Sequence, residues 1–269
     1  MTLQERIEKV KNLRPIDDIF FEVLADDKDV CQEMLRTIME DDRLIVTDVI
    51  VQSSERNLYG RSVRLDALCI LGDGTKCNFE VQRSNNDNHV KRVRYNASVI
   101  TARETDVGSK FENIPELYII YISEFDVFAE RKTIYHIEKT IHETGTVIDD
   151  GVHEIFVNTA IDDGSPISDL MRCMSQKEVN NEHFPYLSNR VQHLKNTEGG
   201  TRVMCEVMEK YTTEARNEGW TKGRAEGRTE GNIDAVVNML KLGIDESSVK
   251  KCYPDEFEEG MKRFLGEKN

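Results

Sequence analysis

Several features that would fix a protein's class at once are missing from this chain. Its six cysteines, at 31, 69, 77, 173, 205 and 252, show no CxxC or CxxxH spacing. A disulfide framework or a structural zinc site is therefore not expected, and reduced thiols are the simple reading. No apolar run approaches the roughly 18 residues of a membrane span, and the opening MTLQERIEKVKNLRP lacks the apolar stretch of a signal peptide. These absences point to a cytoplasmic protein without membrane contact. No glycine-rich phosphate loop of the Walker kind follows a strand-like run, because GDGT at 72–75 reads as a turn. Histidine offers little: His136 and His142 have no Cys or His to complete a metal set, and His89 is expected at the surface.

Charge of one sign dominates. The 269 residues hold 36 Lys or Arg against 50 Asp or Glu, a net charge of −14. That balance argues against a protein coated all over by nucleic acid. Locally the sign reverses. From Arg56 to Arg103 there are nine basic residues (56, 61, 64, 76, 83, 91, 92, 94, 103) and four acids (66, 73, 80, 87). This basic island marks where a polyanion would be met.

Periodicity supplies the elements. A helix after Pro15, broken near Asp26-Asp27, is followed by a second to about Met39. LIVTDVIVQ (44–52) reads as a strand, and residues 64–83 as a β-hairpin turning at Gly72–Thr75. Val90, Val93, Ala97 and Ile100 form the apolar stripe of a helix. ELYIIYIS (116–123) suits a central strand covered on both faces, and TIYHIEKT and HEIFVNTA give two more strands. The order predicts an α/β domain with a mixed sheet over residues 1–165 and a helical C-terminal region over 166–269. Within the latter, Gly219, Gly223, Gly227 and Gly231 recur every four residues. In a helix they would cost about 4 kcal/mol together, so a charged linker or marginal helix is favoured over a close-packing stripe. Residues 233–265 read as a small helical hairpin.

The hairpin carries the chemistry. Asn78, Glu80 and Gln82 share one strand face and Cys77, Phe79 and Val81 the other. A two-residue loop would put Asp66 opposite Val81. A three-residue loop with Gly74 in a left-handed bulge would set Asp66 beside Glu80, and Gly-Asp-Gly-Thr fits the latter. Two carboxylates about 5 Å apart repel unless one is protonated or a cation joins them, and Mg²⁺ with oxygen ligands resolves the conflict. Arg83, Lys91, Arg92 and Arg94 are then candidates to hold backbone phosphates. The alternative is an ordinary solvent-facing strand beside a soluble basic helix.

The same residues resemble the PD-(D/E)XK nuclease superfamily, and within it the branch of nuclease-family transposases, or recombination-promoting nucleases. NLYGRSVRLDALCILGDGTKCNFEVQR carries the Gly-Arg-Ser lead-in, the Leu-Asp, the turn and the Glu-x-Gln-Arg, and KRVRYNAS and YIIYISEFDVF continue the likeness from about Ile16 to Ala160. The resemblance implies a restriction-endonuclease-like fold with mixed sheet and flanking helices. It also implies a metal-dependent DNA endonuclease linked to recombination or transposition. Asp66 and Glu80 would hold Mg²⁺, or Mn²⁺ in its place, with the Val81 carbonyl as a third oxygen. Gln82 stands where the superfamily has lysine, and a neutral amide orients water but brings no positive charge. Glu22, one helix away, could support the site or be an exposed acid. Two other readings use the same residues: a catalytically silent nucleic-acid-binding module, and an adaptor or homo-oligomer acting through its helical tail.

Overall fold

The computed structural model describes residues 2–51, 54–55 and 63–266. The Gly60–Ser62 lead-in, Arg56 and Arg61 lie outside the described residues, as does the side chain of Arg64. Helix α1 (Leu3–Asn12) opens on a capping box between Thr2 and Glu5. It precedes α2 (Asp18–Leu24) and α3 (Lys28–Met39), which is capped by the Asp27 carboxylate on the Asp29 N–H. Then come β1 (Val46–Val51), β2 (Ser54–Glu55), β3 (Val63–Arg64), β4 (Ala67–Leu71) and β5 (Lys76–Gln82). Helix α4 (His89–Arg103) leads to β6 (Leu117–Ser123), β7 (Ile134–Ile137), β8 (Lys139–Thr140), β9 (Val147–Ile148) and β10 (Val152–Asn158). Two helices, α5 (Pro166–Ser175) and α6 (Pro185–Asn196), follow and share a core with the sheet, as do Met204, Cys205 and Met208 after them.

Six strands form one mixed sheet in the order β1-β4-β5-β6-β10-β7. The pairs β5·β6 and β6·β10 are parallel and the rest antiparallel. Parallel strands need cover on both faces, and they have it. One face packs Cys77, Phe79 and Val81 of β5 and Ile120 and Ile122 of β6 against α2, α3, α5 and α6. Phe79 meets Phe21 edge-on at 6.1 Å, a fully buried ring worth about 2 kcal/mol or more in area alone. The other face packs Ile119, Tyr121 and Phe156 against Val93, Ala97 and Ile100 of α4. Val90, expected in that stripe, is exposed, and His89 and Asn96 are buried instead.

By compactness the chain divides after Met208. Residues 166–208 therefore pack with the sheet, although composition alone puts the boundary at 165. Leu170, Met174, Leu187 and Val191 enter the same core as Phe79. Lys195 of α6 shows how closely: its buried ammonium donates to the carbonyls of Lys11, Leu13 and Lys177. Burial lowers its pKa to about 8.

The second unit has its own small core of Val236, Leu240, Val249 and Phe257. Helix α7 (Glu198–Lys241) is continuous over 44 residues, so the four spaced glycines are helical and not a linker. Nothing lies within 4 Å of where their Cβ atoms would stand. After α7 the chain turns at Gly243 (φ +78°) into α8 (Glu246–Cys252) and α9 (Phe257–Gly266). Gly260 lets α9 approach α7, since a Cβ there would sit 2.5 Å from Val236 Cγ1.

The hairpin tip follows the three-residue alternative. The Gly74 N–H donates to Leu71 O and the Leu71 N–H to Thr75 O, with Gly74 at φ +90°. Open space surrounds Gly74, so only backbone strain opposes a side chain there. Gly74→Val is expected to cost about 1–2 kcal/mol, read as a Tm drop of a few degrees, whereas Gly74→Asn should cost far less. Equal melting of the valine variant and the wild type would refute this turn geometry.

Candidate active site

Strand β5 presents Asn78, Glu80 and Gln82 to the α4 side of the sheet, and burial excludes water from the first two completely. The ladder pairs Ala67 with Phe79, Leu68 with Asn78 and Cys69 with Cys77. One step further the same register sets Asp66 across from Glu80. Asp66 lies just outside β4, and its Oδ2 accepts the Val81 N–H at 2.8 Å, taking the place of a ladder carbonyl. Ladder pairing of β4 with β5 ends at Ala67–Phe79. A strand residue's N–H and C=O point to the same side, so the Val81 carbonyl faces the edge where Asp66 sits.

Each group has a defined partner. Asn78 Nδ2 donates to Glu80 Oε1 at 3.0 Å. Glu80 Oε2 is buried and has no hydrogen-bond partner, and Arg92 Nη2 of α4 faces it at 3.5 Å. Arg92 Nη1 donates to Gln82 Oε1 at 2.8 Å, and Gln82 Nε2 donates to the Ser84 carbonyl at 2.9 Å. Both ends of the Gln82 amide are therefore engaged. His89, placed at the surface by sequence, is buried: Nδ1 lies 2.7 Å from Tyr121 Oη and Nε2 3.0 Å from Asn85 Oδ1. Tyr121 is the β6 partner of Glu80, so this pair braces the strand behind the acid.

Electrostatics reflect the crowding. Burial, then the charge of Glu80, pushes the Asp66 carboxyl well above its ordinary range, against the pull of the Val81 N–H. Burial raises Glu80 to about 6, opposed by Asn78 and Arg92. A third acid adds to the field at Asp66: Asp18, in the first turn of α2, itself raised by lost hydration and opposed by Arg83 and Arg92. On that helix the sequence points to Glu22, as a supporting acid or an exposed one, and not to Asp18. Asp18 is legible in it only as a helix-start acid.

The four basic candidates do not form one surface. Arg92 enters the site. Arg83 closes a ring of alternating charge, pairing with Asp17 at 2.8 Å and Glu124 at 3.3 Å, while Arg14 pairs with the same two acids. Arg94 is exposed on another side of α4, lining a groove with Glu154 and Val152. Lys91 is exposed. Among the described residues, the one group of three side chains close enough to share an ion is Glu116, Asp149 and His153. It lies where β6 and β10 begin, whereas Glu80 stands opposite Tyr121, further along β6. It shares no residue with the Asp66–Glu80 pair, whose third oxygen would have to come from backbone.

The donor set tests well for a hard cation. Asp66, Glu80 and the Val81 carbonyl offer oxygen only, and a buried carboxylate oxygen without a hydrogen bond lacks a partner that such an ion would supply. The molecule is thus a mixed α/β protein with an oxygen-lined candidate cation site on an interior strand, where the pairing of β4 with β5 ends. The family model of the PD-(D/E)XK nuclease family transposases matches residues 18–160, more than half of the chain and the whole of this site. The chain belongs to that family, which carries a nuclease-like, hydrolytic function. PD-(D/E)XK nucleases are generally divalent-metal dependent. No curated protein and no solved structure gives a significant match.

The raised carboxyls have a thermodynamic consequence. A carboxyl near 6 when folded and near 4.5 when unfolded keeps its proton in the folded state across that window. Stability without divalent ions should then fall as pH rises from about 4.5 to 6 and stay lower above it. Glu80→Gln removes this group's share. In a chelator above pH 6 the variant should melt higher than the wild type, by on the order of 1 kcal/mol, and the gap should close toward pH 4.5. Parallel melting curves at all pH values would contradict the burial of that charge.

Proposed function

We propose that the protein is a divalent-metal-dependent DNA endonuclease that hydrolyses phosphodiester bonds, in a process of recombination or transposition. One observation carries the reading: the hairpin register sets Asp66 across from the fully buried Glu80, burial raises both carboxyls, and Glu80 Oε2 is left without a hydrogen bond. In this reading Asp66, Glu80 and the Val81 carbonyl hold Mg²⁺, with Mn²⁺ able to substitute. Bound there, the ion's contribution is activation of water and neutralisation of charge growing on the phosphate. Asn78 holds Glu80 Oε1 so that Oε2 faces the pocket. Gln82 fixes the geometry at the pocket mouth through its two hydrogen bonds. Of the basic residues of α4, Arg92 stands nearest the acids, and the exposed Lys91 is a candidate for backbone phosphate, whereas Arg94 lies on another side of the helix. Arg83 serves first in the ion-pair ring and only its exposed half is open to DNA. A cytoplasmic setting agrees with six free thiols, and no described helix is long and apolar enough to cross a membrane. Self-association through the C-terminal helices agrees with the bare glycine stripe of α7.

The lysine-free motif and the fully engaged Gln82 amide favour a second reading, a silent DNA-binding module. Plasmid cleavage in Mg²⁺ or Mn²⁺ separates the two. Asp66→Asn and Glu80→Gln should each lower the rate at least about a hundredfold, and a chelator should abolish it, while DNA binding persists. Salt-sensitive binding without cleavage in either metal would favour the silent module. Self-association that depends on α7–α9 without DNA affinity would favour an adaptor.

A further inference from the structure

We propose that Arg92 holds the place of the divalent ion, and that ion uptake turns its guanidinium outward onto a phosphate of the nucleic-acid backbone. The inference rests on the metal-site reading above and goes beyond it by coupling the two ligands. Its starting point is an asymmetry in how Arg92 is held. Its Nη1 makes a true hydrogen bond to Gln82 Oε1 at 2.8 Å. Its Nη2 only faces Glu80 Oε2 at 3.5 Å, beyond good hydrogen-bond length, and that oxygen accepts no hydrogen bond. The guanidinium therefore neutralises the atom that would receive the ion without saturating it.

The balance of charge determines where Arg92 goes. Asp66 and Glu80 together present two negative charges when ionised, and Arg92 supplies one positive charge. A divalent ion offsets the charge of both acids, so the attraction holding Arg92 falls to that of Asp18, which Arg83 shares, and a like-charge contact with the ion opposes it. The side chain is free to leave: it is about one-third exposed, at 35%, and stands on a helix whose core face is held by Val93, Ala97 and Ile100. A diester phosphate carries the single negative charge that matches the released guanidinium, in a planar geometry that Arg suits. Arg83 cannot take this part as readily, because Asp17 and Glu124 already hold it. The Gln82 position, which brings no charge of its own, thus gains a cation that moves.

The test uses the whole 269-residue chain. By calorimetry in the absence of nucleic acid, Arg92→Gln should bind Mn²⁺ at least about fivefold more tightly than the wild type, since no resident cation has to be displaced. A residue that only braces Glu80 and Gln82 would give weaker binding on removal. Equal or weaker binding overturns the proposal. By anisotropy of a labelled DNA duplex, the wild type should gain affinity when Ca²⁺ replaces chelator, and Arg92→Gln, compared with its own value in chelator, should lose that gain. The same gain in both proteins also overturns it. Should the glutamine variant fold poorly, the wild-type Arg92 side-chain ¹⁵N signal, identified by its loss in Arg92→Lys, should shift on Mg²⁺ addition, and a fixed signal is a negative result. A wild type that takes up no Mn²⁺ would end the metal-site reading itself. Uptake indifferent to Arg92 would end only this inference.

Discussion

Two acids set across from one another with little hydration are the constraint on which the rest of this protein depends. Asp66 and Glu80 face one another across the edge of a hairpin, and burial denies both the hydration that would make their proximity harmless. The surroundings are arranged to tolerate them without neutralising them. A backbone N–H serves Asp66, an amide serves one Glu80 oxygen, and an arginine stands a little too far from the other. An ordinary core position would be filled by Val or Thr. Keeping acids there stabilises nothing in the ion-free protein, so function accounts for their presence better than folding does.

The support around the pair is structural in the strict sense. On one side of the sheet, α2 packs Phe20, Phe21 and Leu24 into the core that β5 shares, and α3 lies against β1. Beyond the strand ends, the Arg14–Asp17–Arg83–Glu124 ring ties the start of α2 to the exits of β5 and β6. On the opposite side, His89 and Tyr121 replace what could have been apolar contacts with a buried polar pair. These devices keep the edge of β5 in one position, and a divalent-cation site needs a fixed set of oxygens. The helices after Pro166 belong to this support, as Lys195 and its three carbonyl partners show.

Local patterns were legible where alternation or turn chemistry controls them. The break between α2 and α3, the central position of β6, and the face shared by Asn78, Glu80 and Gln82 all follow from apolar spacing. The Gly74 bulge follows from the need for φ > 0. What escaped was set by tertiary contact. Composition shows polar helices after residue 166, but only packing reveals that Leu170 and Leu187 share a core with Phe79. His89 has the spacing of a surface residue until Tyr121, thirty-two positions later, claims it. Arg83 and Arg92 look equivalent in a string of basic residues, yet one closes a ring of ion pairs and the other enters the pocket. The glycine run of α7 shows the limit of propensity arithmetic, since helical neighbours on both sides carry it into a continuous helix.

The hairpin tip has a reach that its exposed position conceals. From Leu71 back to Asp66 is about 17 Å along the strand, and no reactive group lies near Gly74. Even so, the number of residues in that loop acts as a gauge for the pocket. If the turn keeps its three-residue form, a residue added or removed there must be taken up by the strands, which would exchange odd for even positions along β5 and bring Phe79 or Val81 against Asp66 in place of Glu80. The loop's parity is thus as much a part of the site as either acid.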